Sequence, residues 1–397
     1  MSGRGPIPGP IPETEDQITH RQELKGLPIL NTPPEERFGQ VIRVVKRVFG
    51  VESVAIKLIG GSGLSYKSQV EIDAPEDTVR DAFFDVTIGQ SEIIMVPDAL
   101  EDPRFSNTPL VTSVPKIRFY AGCPLKGFNG ELLGVLCIFD SAPRVLTDLE
   151  KEQLGELALR LRNEILAAQE LDRAAEVQRG LLPKRLVSLP GYQVAGAYLS
   201  AEVVGGDFYD WYPVKEGAAF TLADVMGKGI GAAIIAATVR AVLRAGSRHG
   251  GVCQAVEWVA ETLQSDLDES GAFVTLIHAC LNVETGVVEY IDAGHGLTLI
   301  VHANGRTDRL ATTNFPLGLD ISDLWKVETV TLNHGDTLIA VSDGVLDIFD
   351  GTLASLEEVA KVVRGSMSAQ AVVDTLVSMA GGVPTPDDVS ILVLRRS

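Results

Sequence analysis

The sequence predicts an α+β protein in two parts, each built on antiparallel sheet and joined by a long helix. Three observations predict it. Short apolar runs of strand length recur between residues 53 and 139 and again between 192 and 394. Between the two sets, residues 146–182 contain no proline and only Gly155 and Gly180, with Leu154, Leu157, Leu161, Ile165 and Ala168 spaced by three and four. In the second half few helical stretches separate the strands, which suits stacked antiparallel sheets with helices over their outer faces.

The chain has 397 residues, 45 % of them hydrophobic, enough for two cores. Its formal net charge of -19 argues against nucleic acid or an anionic membrane as the main partner. Cys123, Cys137, Cys253 and Cys280 form no CxxC pair, which suits reduced thiols in a cytoplasmic protein. Residues 1–24 read as a disordered tail, since Gly5-Pro-Ile-Pro-Gly-Pro-Ile-Pro12 forms no regular ladder and is no signal peptide.

Residues 25–148 form the first folded segment. Pro33-Pro34 opens a helix through Phe38, Val41, Ile42, Val45 and Val48. Strands follow at Ser53–Ile59, Glu92–Val96, Phe119–Leu125 and Leu132–Phe139, with Asn129-Gly130 as the hairpin turn between the last two. With Gly50-Val-Glu-Ser-Val-Ala-Ile-Lys-Leu58, Val96-Pro-Asp-Ala-Leu-Glu-Asp-Pro-Arg-Phe105, Ile117-Arg-Phe-Tyr-Ala-Gly122 and Leu133–Asp140 in this order, the segment resembles a GAF sensor domain. The resemblance implies a cavity for a small-molecule ligand between sheet and loops. Ala82-Phe-Phe-Asp-Val86 stands where related domains carry polar residues, so a packed, ligandless domain used for dimerisation or protein contact is the competing reading. Cys123 and Cys137 fall on paired strands, which raises redox sensing against the plainer role of buried small hydrophobes.

Residues 149–185 are the amphipathic linker helix, whose stripe continues through Ala174, Val177 and Leu181 until Pro183 ends it. It reads as a signalling lever in a parallel homodimer, or as a helix that packs only on its own domain.

Residues 186–397 form the second segment. Strands are expected at Tyr192–Tyr198, Gly217–Val225, Phe273–Leu281, Gly286–Ile291, Leu297–His302, Thr337–Ser342 and Val389–Leu394, with helices at Ile230–Ala245 and Val252–Leu267. Aspartates stand at strand ends beside glycine or a second acid: Asp207, Asp224, Asp343 and Asp387. Taken singly, each would cap a turn. Converging at one rim they would repel strongly unless divalent cations offset their charge. Carboxylates, a backbone carbonyl and water suit hard Mg²⁺ or Mn²⁺, and two such ions can clamp a phosphate and activate a water. Gly227-Lys-Gly-Ile-Gly231 is not a phosphate loop, because Gly229 follows the lysine where Ser or Thr is needed. No zinc spacing and no Gly-x-Ser-x-Gly elbow are present.

The segment resembles the PPM/PP2C-type metal-dependent protein phosphatases, in their SpoIIE-like branch. The matching stretches are Ala174–Pro183, Val204–Asp210, Ala223–Ala233, Asp292-Ala-Gly-His295, Pro316–Leu319, Gly335-Asp336, Ser342–Val345 and Asp387–Ser390. The resemblance implies an αββα sandwich. It also implies a two-metal centre of Mn²⁺ or Mg²⁺, with Asp207, Asp224, the Val225 carbonyl, Asp343 and Asp387 as ligands. Hydroxide would attack the phosphorus of a phosphoserine or phosphothreonine directly. Asp388 is a second-shell candidate, and the doublet leaves open which of the two ligates. Lys228 and His295 are candidates for substrate or phosphate contact, against roles in turn or core, and Asp210 is expected to orient the loop. The implied substrate is a phosphorylated STAS-domain anti-anti-sigma protein. The alternative is a non-catalytic regulatory protein that uses a phosphatase-like domain for binding.

Overall fold

The computed structural model describes residues 36–60, 63–70, 82–184, 189–247, 250–319, 325–382 and 385–397. The expected N-terminal tail and Pro33-Pro34 lie outside these residues. The chain divides into two compact units, 1–172 and 173–397.

In the first unit α1 (Glu36–Phe49) is followed by β1 (Ser53–Gly60), β2 (Gly63–Val70), α2 (Ala82–Ile88), β3 (Ile94–Val96), α3 (Pro109–Thr112), β4 (Phe119–Lys126) and β5 (Leu132–Asp140). The five strands form one antiparallel sheet in the order β2-β1-β5-β4-β3. Both faces of its central strands are apolar, and each face is covered. Ile42, Val45 and Phe49 of α1 pack on Val54, Ile56, Leu136 and Ile138 on one side. On the other, Phe83 and Phe84 of α2 pack with Ala55, Phe105, Tyr120 and Phe139. Phe83 stacks on Phe105 with centroids 4.3 Å apart and lies 4.8 Å from Tyr120. The two phenylalanines of the expected ligand segment are thus core side chains. Cys123 and Cys137 do lie on paired strands, but register pairs Cys137 with Gly122, and the two thiols face opposite sides of the sheet. They form no disulfide, and the redox reading loses its geometric basis.

Helix α4 runs from Asp148 to Leu181. Leu154, Ala158, Leu161 and Ile165 join the core on the α1 side, so this part of the stripe packs on its own domain. Leu149, Leu159 and Val177 are exposed.

The second unit continues with β6 (Tyr192–Leu199), β7 (Phe208–Val214), β8 (Gly217–Val225), α5 (Gly229–Gly246), α6 (Val252–Ser270), β9 (Val274–Asn282), β10 (Val287–Ala293), β11 (Thr298–Val301), β12 (Thr307–Arg309), β13 (Glu328–Thr331), β14 (Thr337–Val341), α7 (Asp343–Leu346), α8 (Ser355–Gly365), α9 (Ala369–Ala380) and β15 (Val389–Arg396). Two five-stranded antiparallel sheets result, ordered β13-β10-β9-β8-β7 and β12-β11-β14-β15-β6. Strand alternation decides the layers. In β15, Leu392 and Leu394 meet Phe220, Leu222 and Ile277 of the facing sheet. Val389, Ile391 and Val393 turn outward and are covered by Val359, Val363, Val372 and Leu376 of α8 and α9. Ala223, Val225, Val274 and Leu276 turn outward from the other sheet under Ala232, Ala236, Val239 and Val256 of α5 and α6. The unit is an α/β/β/α sandwich. Helix α5 is long and apolar enough by length and composition to cross a bilayer, and its inner face packs on the sheet.

Candidate active site

The start of β7, the end of β8, the end of β14 and the start of β15 gather at one end of the sandwich. Register places Phe208 opposite Ala223, so Asp207 and Asp224 are neighbours across two strands of one sheet. The Ser342 N–H donates to the Ser390 carbonyl at 2.9 Å, which brings Asp343 beside the Asp387-Asp388 pair from the other sheet.

Asp207 is 3 % exposed, and its Oδ2 has no hydrogen-bond partner among the described residues. Burial, then the charges of Asp224 and Asp388, hold its carboxyl well above the ordinary range. Asp224 is pushed up to about 6 by burial and by Asp343 and Asp387. Asp343, the first residue of α7, is raised by burial and by Asp387. Four acids feel one another electrostatically, and in water-poor surroundings that arrangement destabilises the ionised forms.

Glycines make the close approach possible. A Cβ on Gly206 would stand 2.6 Å from the Val225 carbonyl oxygen, and one on Gly344 would stand 2.2 Å from the Asp388 carbonyl. A Cβ on Gly205 would meet Asp388 Oδ2 at 1.8 Å.

The two acids of the doublet differ. Asp388 is buried and accepts from the Ala201 N–H at 2.8 Å, the Asp207 N–H at 3.3 Å and the Tyr198 hydroxyl at 3.4 Å. Its carboxylate ties the end of β6 to the loop that leads into β7. The Asp387 side chain is 44 % exposed and lies 3.4 Å from Lys228 Nζ. Lys228 also donates to the Pro386 carbonyl. Lys228 therefore stands at the rim, beside one acid of the cluster.

Two candidates face elsewhere. The Asp210 carboxylate is taken by Arg244, at 2.5 and 2.6 Å, and by Arg240 at 3.2 Å, both from α5. It anchors that helix to β7. His295 is buried, its Nε2 has no hydrogen-bond partner among the described residues, and burial holds its imidazole down to about 4. Its N–H and that of Gly296 donate to Asp292, so this stretch forms a carboxylate-capped turn.

The sequence reading passed over two side chains. Gln178, in the last turn of α4, pairs with the Gly205 peptide. Tyr198 on β6 reaches Asp388. Gln178 lies inside the motif stretch Ala174–Pro183, which was the available signal.

Among the described residues, no three acids, histidines or cysteines stand close enough to hold a metal ion as they are. The donor chemistry nevertheless fits a hard divalent cation. It comprises carboxylates of raised proton affinity, a buried carboxylate oxygen without a partner and a backbone carbonyl in a glycine-lined gap.

The GAF domain profile matches residues 33–165, and the Stage II sporulation protein E (SpoIIE) profile matches residues 215–397. The chain is a GAF domain followed by a SpoIIE-like domain of the PPM/PP2C phosphatase type. Asp224, Asp343 and Asp387 lie inside the SpoIIE match, and Asp207 lies just before it. Protein IcfG of Synechocystis is 26 % identical over 45 % of this chain, which spans 32 % of that protein's length. Phosphoserine phosphatase RsbU of Bacillus subtilis is 26 % identical over 57 % of this chain and 70 % of its own. The SiaA-PP2C domain of Pseudomonas aeruginosa shares the fold at a TM-score of 0.51 and 21 % identity, over 59 % of this chain and 99 % of that one. The SpoIIE-like domain accounts for the stacked sheets, and the GAF domain for the sheet of the first unit.

Proposed function

We propose that the chain is a cytoplasmic, metal-dependent serine/threonine phosphoprotein phosphatase whose substrate is a phosphorylated STAS-domain anti-anti-sigma protein. The observation that carries the proposal is the group of four electrostatically coupled aspartates at one end of the SpoIIE-like domain, with Asp207 Oδ2 buried and unpartnered. The similarity to a phosphoserine phosphatase, RsbU, supports the reaction class.

Asp207, Asp224, the Val225 carbonyl, Asp343 and Asp387 would hold two Mn²⁺ or Mg²⁺ ions. Bound there, the cations offset the carboxylate charge, orient a phosphoryl group and make water acidic enough to attack it near neutral pH. Asp388 holds the backbone of Asp207 in place. Lys228, beside Asp387, offers a cation at the rim for an approaching phosphate. Met226, two residues after Asp224, is exposed, as are Ile230 and Ile234 on α5. Asp210 and His295 have structural roles. The exposed Leu149, Leu159 and Val177 of α4 support a homodimer through that helix, which sedimentation tests. The aromatic packing around Phe83 supports a GAF domain that acts through protein contacts rather than a small ligand.

Asp387, one of the expected ligands, instead lies 3.4 Å from Lys228, and this pairing favours one other reading, a phosphatase-like binding protein without turnover. Phosphate release from a phosphoserine STAS protein, with Mn²⁺ and with chelator, separates the two. Turnover that requires Mn²⁺ supports the phosphatase, and stable binding without release supports the alternative.

A further inference from the structure

Asp387 is the one acid of the group that meets a cation. Its Oδ1 accepts the Asp388 N–H at 2.9 Å, and its Oδ2 lies 3.4 Å from Lys228 Nζ. Lys228 Nζ also donates to the neighbouring Pro386 carbonyl. Among the described residues, no other lysine or arginine forms an ion pair with Asp207, Asp224, Asp343 or Asp387, since Arg240 and Arg244 are taken by Asp210. The contact spans the two sheets. Lys228 lies in the turn between β8 and α5, and Asp387 in the stretch that enters β15. Glycines flank Lys228 on both sides, Gly227 at φ +101° and Gly229 at φ +76°, a region of the backbone that favours glycine. The Lys228 and Asp387 side chains are 42 % and 44 % exposed. A pair this open to water is weakly held, and the lysine stem is flexible, so the ammonium can leave Asp387 without disturbing a packed core.

We propose that Lys228 is an exchangeable counter-cation. It pairs with Asp387 Oδ2, gives that oxygen up when the site takes a divalent cation, and then contacts the phosphoryl group of the substrate. This rests on the metal-centre reading above. The exchange follows from the two oxygens of Asp387. Oδ1 is engaged by the Asp388 N–H, so Oδ2 is the atom Asp387 offers to a cation, and Oδ2 is the atom Lys228 faces. An ammonium and a divalent cation on one carboxylate oxygen repel each other. The released ammonium stays at the rim of the acids, where an incoming phosphoryl group supplies the negative charge it has lost. Removing the ammonium therefore has two effects of opposite sign: the cation is held more tightly and the substrate less tightly. A lysine that only shapes the turn would weaken both or change neither.

The test uses the full chain as wild type, Lys228→Gln and Lys228→Arg. Acetylation of Lys228 by an amine reagent is followed by mass spectrometry in chelator and in Mn²⁺. Lys361, which pairs with Glu358 at 2.7 Å on α8, is the internal reference. Mn²⁺ alone is titrated by calorimetry, and kcat and KM are measured with para-nitrophenyl phosphate at saturating Mn²⁺. Lys228 should acetylate faster in Mn²⁺ while Lys361 keeps its rate. Lys228→Gln should bind Mn²⁺ about three- to fivefold more tightly, the scale of one exposed ion pair. Its KM should rise about tenfold with kcat little changed, the loss of one charged contact to substrate. Lys228→Arg keeps the charge and should lie between. Acetylation of Lys228 that Mn²⁺ leaves unchanged, Mn²⁺ affinity in Lys228→Gln no higher than in the wild type, or an unchanged KM overturns the proposal. A wild-type chain that takes up no Mn²⁺ overturns the metal reading itself.

Discussion

Asp207 and Asp210 are three residues apart and do opposite things. Asp207 is buried without a partner at Oδ2 and is destabilised by its acidic neighbours, whereas Asp210 is buried between two arginines. Asp207→Asn should abolish Mn²⁺-dependent hydrolysis, yet raise the metal-free melting temperature, because a buried charge site is neutralised. Each 1 kcal/mol gained corresponds to about 2–4 °C in a domain of this size, read by calorimetry in chelator. Asp210→Ala should instead cost about 3 kcal/mol of stability, since it leaves Arg240 and Arg244 without their carboxylate. Denaturant unfolding measures that loss, and an unchanged midpoint would contradict the role assigned to Asp210. Gly205→Ala forces Asp388 aside and should reduce activity and also stability by about 1–3 kcal/mol. Both are lost because Asp388 is a structural tie as well as a neighbour of the acids. The resemblance set Asp207 apart from Asp210 and offered Asp388 as a second-shell candidate, but the partners that carry this division are not visible in the sequence. Asp387 and Asp388 are adjacent there, and contacts with residues far away in sequence distinguish them: Tyr198, Ala201 and Asp207 for Asp388, Lys228 for Asp387.

At the scale of elements, the strands were legible where one apolar run filled both faces. Gly217–Val225 and the start of β15 were read in place, because Phe220, Leu222 and Leu392 serve one layer while Ala223, Val225 and Ile391 serve the next. Strand β7 was hidden, since it contains Asp210 and Pro213 and its alternation is broken by a charge that only α5 satisfies. Helices α8 and α9 went unread, although their buried Val359, Val363, Val372 and Leu376 are the outer cover of a sheet. Between β9 and α5 lies a buried polar chain. His278 Nδ1 pairs with the Thr221 hydroxyl at 2.8 Å and Nε2 with Ser247 at 3.1 Å, and Ser247 reaches Tyr212 at 2.9 Å. Burial holds His278 down to about 4, below its ordinary 6.5. The unfolded chain therefore binds this proton first. The contribution of neutral His278 is fully present above pH 6.5 and is lost as pH falls toward 4. This contribution is on the order of 3 kcal/mol. Stability measured from pH 7 to 4 should fall more steeply in the wild type than in His278→Gln, and parallel curves would refute this origin.

For the whole molecule, the two units have separate hydrophobic cores, and the acid site belongs to the SpoIIE-like unit alone. Scanning calorimetry of the full chain should resolve two transitions. Mn²⁺ at 100 times its dissociation constant should raise only the one that belongs to the SpoIIE-like domain, by about 2.7 kcal/mol. Equal shifts of both would contradict a site confined to that unit. Whether the four aspartates form a metal centre that hydrolyses phosphoserine is decided by phosphate release from a phosphoserine STAS protein, with Mn²⁺ titrated into wild type and Asp343→Ala. Turnover should saturate with Mn²⁺ in the wild type and be lost in the variant. Equal turnover in both, or turnover that survives chelation, would contradict it.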